Sequence, residues 1–207
     1  MIHARKKRIA AIAAASAAML GACASAPVHY YTLVAPDVQN LVPAGPDTAT
    51  AIPFMLLAHA VPAEVDQPQL IVRTGAVQAA VLEGERWIAP LGDEIQVALG
   101  ADLARALPGQ DVTALAAGGK SVLHIQLNLR RFESSPGAYA LIEAAWSLRL
   151  QGNSAQSPLT CTSTIREGVE SGYDSLVRGH QRALGRLAAA IAAAARPYVA
   201  GQPARCP

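Results

Sequence analysis

Three cysteines, five histidines and one Gly-Gly-Lys-Ser stretch are the residues of this chain best suited to chemistry, and their spacing limits what that chemistry is. The histidines stand at 3, 29, 59, 124 and 180. None is paired at i, i+4, and there is no HExxH, the spacing that turns two imidazoles toward one zinc ion. Ala114 to Ser121, ALAAGGKS, is one residue short of a phosphate-binding loop, which needs Gly where Ala114 stands. Such a loop must also open a helix, whose first amides hold the phosphates. The residues after Lys120 alternate as a strand instead, so the stretch reads as a polar turn. No GxSxG elbow presents a serine. Glu83 and Glu85, two apart beside Trp87, read as an exposed hairpin end rather than an acid pair in a cleft. No cofactor motif occurs. An enzyme reading has no positive support, although catalytic triads are recognised by geometry rather than by spacing.

The first cysteine has a sharper context. Arg5, Lys6, Lys7 and Arg8 form a cationic block, and Ile9 to Leu20 is an apolar run of twelve residues. Small residues follow, in Leu20-Gly21-Ala22-Cys23. This is the layout of an export signal. As a helix the run is about 18 Å long, short of a bilayer core of about 30 Å, so it does not serve as a permanent span. Leu-Gly-Ala-Cys resembles the lipobox of bacterial lipoproteins. In that family the thiol receives a diacylglycerol, the chain is cut before the cysteine, and the new amino group takes a third fatty chain such as palmitate. One acyl chain binds membranes marginally, and further chains make the anchor stable. A plain signal peptide cut after Ala22, Ala24 or Ala26 is the alternative. Position 24 is not Asp, the residue that resembles an inner-membrane retention mark, so the expected location is the outer membrane, facing the periplasm.

Cleavage changes the charge. Four of the 17 basic residues and none of the 15 acids lie in residues 1–22, leaving 13 against 15 and a net charge of −2. No basic stripe remains to suggest nucleic acid. The 185 residues that remain suffice for one domain with a sizeable core. Aromatic residues make up 4%, so that core is built from Ala, Leu, Val and Ile. Tyr30, Tyr31, Trp87 and Trp146 each cover much area and stand out as fold or interface anchors. Cys161 and Cys206 form an even pair in an exported chain. A disulfide between them would close a loop of about 45 residues, contribute about 3–4 kcal/mol and hold a Pro-rich tail; two free thiols are the alternative.

Element signals organise the rest. Residues 23–28 are a short tether, 29–200 one domain, and 201–207 a tail. His29 to Ala35 reads as a strand, Pro36 to Pro53 as a loop, and Phe54 to Val61 as a buried strand. Gln69 to Arg73 and Val77 to Leu82 read as a hairpin around Thr74-Gly75. Ile95, Leu99, Leu103 and Leu107 mark a helix over Leu91 to Leu107, ended by Pro108-Gly109. Val122 to Phe132 alternates cleanly, with His124, Gln126, Asn128 and Arg130 on a wet face. With Ala138 to Leu150 and Leu159 to Glu167 it forms an antiparallel meander. A long helix capped by Asp174 or Ser175 runs to Arg196 and stops at Pro197. Its stripe is Leu176, Leu184, Leu187 and Ile191, and its polar face carries Arg178, Gln181, Arg182 and Arg186.

Four stretches, in order, carry a family resemblance: His29-Tyr30-Tyr31-Thr32-Leu33; VPAEVDQPQLIVRT at 61–74 with ERWIAPLGDEI at 85–95; LHIQLNLRRFE at 123–133 with the strand bearing Trp146; and GYDSLVRGHQRALGRLAAAIA at 172–192. The chain resembles the ABC-type transport auxiliary lipoproteins, the PqiC-like group of outer-membrane lipoproteins. Cys206 lies outside the family pattern. The resemblance implies an α/β (α+β) single domain, with a mixed, largely antiparallel sheet packed against two main helices. It implies no catalytic residue and no cofactor. It also implies an accessory role beside an MCE-domain transport protein in a system that moves lipid between membranes and keeps the outer membrane intact. A polar-faced strand or an exposed edge could receive such a partner by strand addition. Self-association is open. Two other readings remain: a lipoprotein that itself holds a lipid or small apolar ligand, and a periplasmic hydrolase of unrecognised type.

Overall fold

In the computed structural model, residues 26–36, 53–113, 115, 121–152 and 156–207 are described. Cys23 with the signal segment, most of the 36–53 loop, and most of the ALAAGGKS turn lie outside them. Nine elements follow in order: β1 (His29–Tyr31), β2 (Phe54–Ala60), β3 (Gln69–Arg73), β4 (Ala79–Trp87), α1 (Leu91–Ala106), β5 (Leu123–Ser135), β6 (Tyr139–Leu150), β7 (Leu159–Gly168) and α2 (Tyr173–Val199).

The strands divide between two open, mixed sheets. The larger has the order β2-β5-β6-β7, and the smaller β1-β4-β3. β5, β6 and β7 form the antiparallel meander, while β2 lies parallel to β5 and β1 parallel to β4. Parallel neighbours need a crossover rather than a tight turn. Residues 61–122, with β3, β4 and α1, supply the one between β2 and β5. Period-2 alternation gives the large sheet a sealed face and a wet one. Leu123, Ile125, Leu127 and Leu129 are buried, while Gln126 and Asn128 are exposed. A bulge between Leu129 and Arg131 then resets the phase. Both Arg130 and Arg131 face water, and Phe132 returns to the core.

The two helices cover the sealed face. α2 buries Leu176, Leu184, Leu187 and Ile191 with many alanines, and α1 buries Leu91, Ile95, Leu99 and Leu103. Trp146 lies under this layer, 1% exposed, with its indole N–H donating to Ser163 Oγ at 2.9 Å. The small sheet joins the same core through Trp87, whose ring meets Phe132 of β5 edge-on at 6.1 Å. A second cluster of Val72, Ala140 and Leu176, with Leu82 and Val169 against it, packs β3 and β4 onto the start of α2. Gly179 lets α2 come close to β6 and the end of β7, because a Cβ there would collide with Val169 Cγ1 and stand 3.0 Å from the Ala140 Cβ.

Several boundaries differ from the sequence reading. The first strand ends at Tyr31, not Ala35, because a carboxylate of α1 captures the next residues. The hairpin's second strand starts at Ala79 and runs on through Trp87, with Val77 in the turn. Glu83 and Glu85 therefore sit within β4 rather than at a hairpin end. α2 begins at Tyr173 with Gly172 at its N-cap, and Ser175 Oγ instead accepts the Glu170 N–H at 2.9 Å. Pro197 lies inside the last turn, at the cost of one i→i−4 hydrogen bond, and the helix continues past it because the following residues are held. They are held: Tyr198 is buried, and its hydroxyl donates to the Ser157 carbonyl at 3.1 Å.

Candidate functional site

The N-terminal segment is the first candidate, since it enters the fold from the side of Cys23. β1 pairs with β4 in the register His29–Glu85, Tyr30–Arg86 and Tyr31–Trp87. Alternation sends Tyr31 inward against the core and leaves Tyr30 62% exposed. Glu85 receives both inward neighbours: the Tyr31 hydroxyl donates to Oε2 at 2.7 Å, and His29 Nδ1 lies 3.0 Å from Oε1. Burial, and after it the hydrogen bond to Glu85, push the Tyr31 phenol above its ordinary range.

Beyond β1 the chain is clamped by both helices. Glu94, buried in the first turn of α1, accepts the Leu33 N–H at 2.7 Å and the Thr32 hydroxyl at 2.8 Å. From α2, Gln181 Nε2 donates to the Thr32 carbonyl at 3.0 Å. These groups satisfy backbone that left the ladder, and they fix where the N-terminal segment leaves the body. The sequence reading named neither Glu94 nor Gln181 as a holding group. Glu94 stands on the buried side of α1, three residues after Leu91, and Gln181, which the pattern puts on the polar face of α2, is half-buried at the flank of the stripe.

The second candidate is the wet face of the large sheet. β5 is a central strand, so it offers no edge for strand addition. β2 is an edge, but residues 110–113 bond to it: the Phe54 N–H donates to the Gln110 carbonyl at 3.0 Å, and the Val112 N–H to the Phe54 carbonyl at 2.8 Å. Gln96 of α1 closes the next positions, taking the Ala58 N–H at 2.9 Å and donating to the Leu56 carbonyl at 2.8 Å. The outward rows are polar, with Gln126 and Asn128 on β5 and Thr162 and Thr164 on β7 all exposed. Across the bulge, Glu133 gathers Arg131 at 2.7 Å, Arg73 of β3 at 3.2 Å and the Tyr139 hydroxyl at 3.1 Å. Burial works to raise the Glu133 carboxyl, but these donors outweigh it and hold it at about 2. The network ties the two sheets together on their outer side.

The cations of α2 are less free than a membrane-binding face requires. Arg182 and Arg186 pair with Glu167 at 3.2 and 3.0 Å, and Gln181 holds the N-terminal segment. Glu83 and Glu85 do not form an acid pair, since Glu85 is bound inward while Glu83, largely exposed, lies near Arg86 at 3.4 Å. Trp87 and Trp146 are core residues, 3% and 1% exposed.

Among the described residues one serine is hydrogen-bonded to a histidine. Ser134 Oγ and His180 Nε2 are 2.8 Å apart, and the His180 ring stacks on Phe132 at 3.9 Å. Both residues are sealed, at 4% and 0% exposure, and His180 Nδ1 has no hydrogen-bond partner. A catalytic pair needs an approachable serine and an orienting group on the other ring nitrogen. This pair has neither and works as a core contact. Burial lowers the imidazole to about 3, which keeps it neutral. Among the described residues, no group of three His, Cys, Asp or Glu side chains is placed to hold a metal ion, and no helix is long and apolar enough to cross a membrane. Cys161 of β7 and Cys206 of the tail are joined, with Cα atoms 5.5 Å apart.

A family model for the ABC-type transport auxiliary lipoprotein component matches residues 31–192. The chain belongs to that family. The match runs from the inward tyrosine of β1 to the last turns of α2, so it takes in both sheets, both helices and the clamp on the N-terminal segment. Membership of a lipoprotein family goes with a membrane-anchored, periplasmic location. No curated protein matches this auxiliary lipoprotein by sequence. Solved structures resemble its fold. One is a crystal structure of an uncharacterized protein, 18% identical, with a TM-score of 0.63 over 81% of this chain and 97% of that one. Another is protein XCC0632 from Xanthomonas campestris, of the DUF330 family, 21% identical, with a TM-score of 0.53 over 75% of this chain and 91% of that one.

Proposed function

We propose that this auxiliary lipoprotein is acylated on Cys23, sits on the inner leaflet of the outer membrane, and serves an ABC-type lipid transport system as its docking subunit beside an MCE-domain protein. The family match over residues 31–192 carries the reading. Three physical features support it. The tether is short and its exit is clamped, so the domain stays at its membrane. The only serine–histidine pair among the described residues is sealed in the core, where it cannot meet a substrate. The wet rows of the large sheet offer hydrogen-bonding side chains over a rigid surface, as protein recognition requires.

The test is crosslinking in intact cells from Gln126 and Asn128, which point outward on β5. A photoreactive residue at either position is expected to trap a periplasmic MCE-domain protein, and deletion of the chain is expected to weaken the outer-membrane barrier. Recovery of the uncrosslinked lipoprotein from both positions, with an unaltered barrier on deletion, would contradict the proposal.

A further inference from the structure

Large apolar side chains are exposed at seven of the described positions, and they are not spread evenly. Val28, Tyr30, Val77, Val81 and Ile88 belong to the small sheet or its immediate flanks, at 42%, 62%, 94%, 50% and 67% exposure. Val97 and Leu115 lie elsewhere. Strand parity puts four of them on one side, and Val77 lies in the turn that joins β3 to β4. Tyr31 and Trp87 are register partners that face the core, so Tyr30 and Arg86, and with them Val28 and Ile88, face outward. In the hairpin, Leu70 and Leu82 are partners on the inner side, which places Ile71 and Val81 on the outer one. Clustered apolar exposure of this kind marks a surface that is covered in use.

The place where the chain leaves the sheet says what covers it. Val28 is five residues from Cys23, a reach of at most about 18 Å even when fully extended. The tether also keeps close to β4, since a Cβ on Gly84 would lie 3.5 Å from the Pro27 carbonyl oxygen. β1 cannot swing away, because it is paired to β4 and followed by the Glu94 clamp. An acyl anchor at Cys23 therefore holds this apolar face beside the lipid. Tyr30 suits that position, since a tyrosine has a ring for the acyl boundary and a hydroxyl for water.

We propose that the outward face of the three-stranded sheet rests on the bilayer as a second, non-covalent membrane contact that sets the orientation of the domain. The large sheet's polar rows are then left for protein. The inference rests on the acylation of Cys23 proposed above, and the test separates the two. Full-length acylated protein is reconstituted into phosphatidylethanolamine–phosphatidylglycerol vesicles containing shallow spin-labelled lipid, with an environment-sensitive dye on Val77→Cys, Ile88→Cys or, for comparison, Val97→Cys. All three positions are exposed, so the label does not disturb the core. Dye at 77 and 88 is expected to be quenched at least twofold and dye at 97 to be unchanged. Vesicle-bound, acylated protein whose dyes at 77 and 88 stay unquenched would overturn the membrane face and leave the anchor standing. So would crosslinks at 88 to a second copy in place of quenching. An intact mass without acyl chains would overturn the anchor and this inference together.

Discussion

His180 shows how a single buried ring sets the acid behaviour of the fold. Its imidazole sits at about 3 in the folded protein against about 6.5 when exposed, because burial disfavours the charged form. The unfolded chain therefore binds a proton first. The stability tied to the neutral ring is complete above pH 6.5 and is lost as pH falls toward 3, at up to about 1.4 kcal/mol per pH unit. Glu133 acts lower: held at about 2, it contributes stability above its unfolded value near 4.5 and loses it as pH falls toward 2. Asp102, raised by burial against the opposing Arg105, works in the other direction. Urea unfolding of the native chain and of a His180→Phe/Ser134→Ala variant, compared between pH 7 and pH 4.5, isolates the ring; the variant's stability is expected to fall less. A second residue-scale expectation concerns Glu94. Its replacement by Ala removes two charge-assisted hydrogen bonds and leaves a backbone amide unpaired, at a cost of about 2–3 kcal/mol. The Leu33 amide should then exchange with solvent much faster than in the native chain.

At the scale of elements, small residues on α2 set how closely the larger sheet meets it. Gly179→Ala forces a methyl group against Val169 and Ala140, and overpacking of this kind costs about 1–3 kcal/mol. Gly185→Ala, on the same helix, places its Cβ 3.7 Å from Asp102 Oδ2, an ordinary contact. It should gain up to about 1 kcal/mol of helix propensity. Opposite shifts of the thermal midpoint in the two variants check this. Local pattern made most elements legible: the alternation of Leu123 to Leu129, the meander, and the stripe of α2 all follow from apolar period. Elements shaped by distant groups were not legible. Thr32 and Leu33 read as strand, yet Glu94, more than sixty residues on, draws them off the ladder. Pro197 read as a stop, yet Tyr198 is buried and carries the helix past it. The division into two sheets left no local trace, since it depends on which strands β4 and β5 choose as neighbours. The bulge between Leu129 and Arg131 was not read either, although two successive arginines, Arg130 and Arg131, interrupt the alternation there.

At the scale of the whole molecule, both ends of the described domain are held against its body, the first by the Glu94 clamp and the last by a disulfide. The C-terminal tail is tied to β7 through Cys161 and Cys206, across a sequence separation of 45. Reduction in the native chain, or Cys206→Ser, is expected to lower stability by about 4 kcal/mol through the freed loop entropy. Urea unfolding with and without reductant measures it, and the Cys206→Ser chain should not respond to reductant. The candidate site was legible in part. Tyr30 stood out because aromatics are rare here. The clamp of Glu85, Glu94 and Gln181 was not legible, since it joins three elements that only the fold brings together. At the N-terminal end, the clamp gives the tether a fixed exit, and this matters only if a membrane holds the other end of it. The intact mass of the chain recovered from bacterial envelopes tests that most directly. The account predicts a polypeptide beginning at Cys23 that carries a diacylglyceryl group and an additional N-linked acyl chain, found in the outer-membrane fraction. A chain with an unmodified thiol at position 23, free in the periplasm, would contradict it.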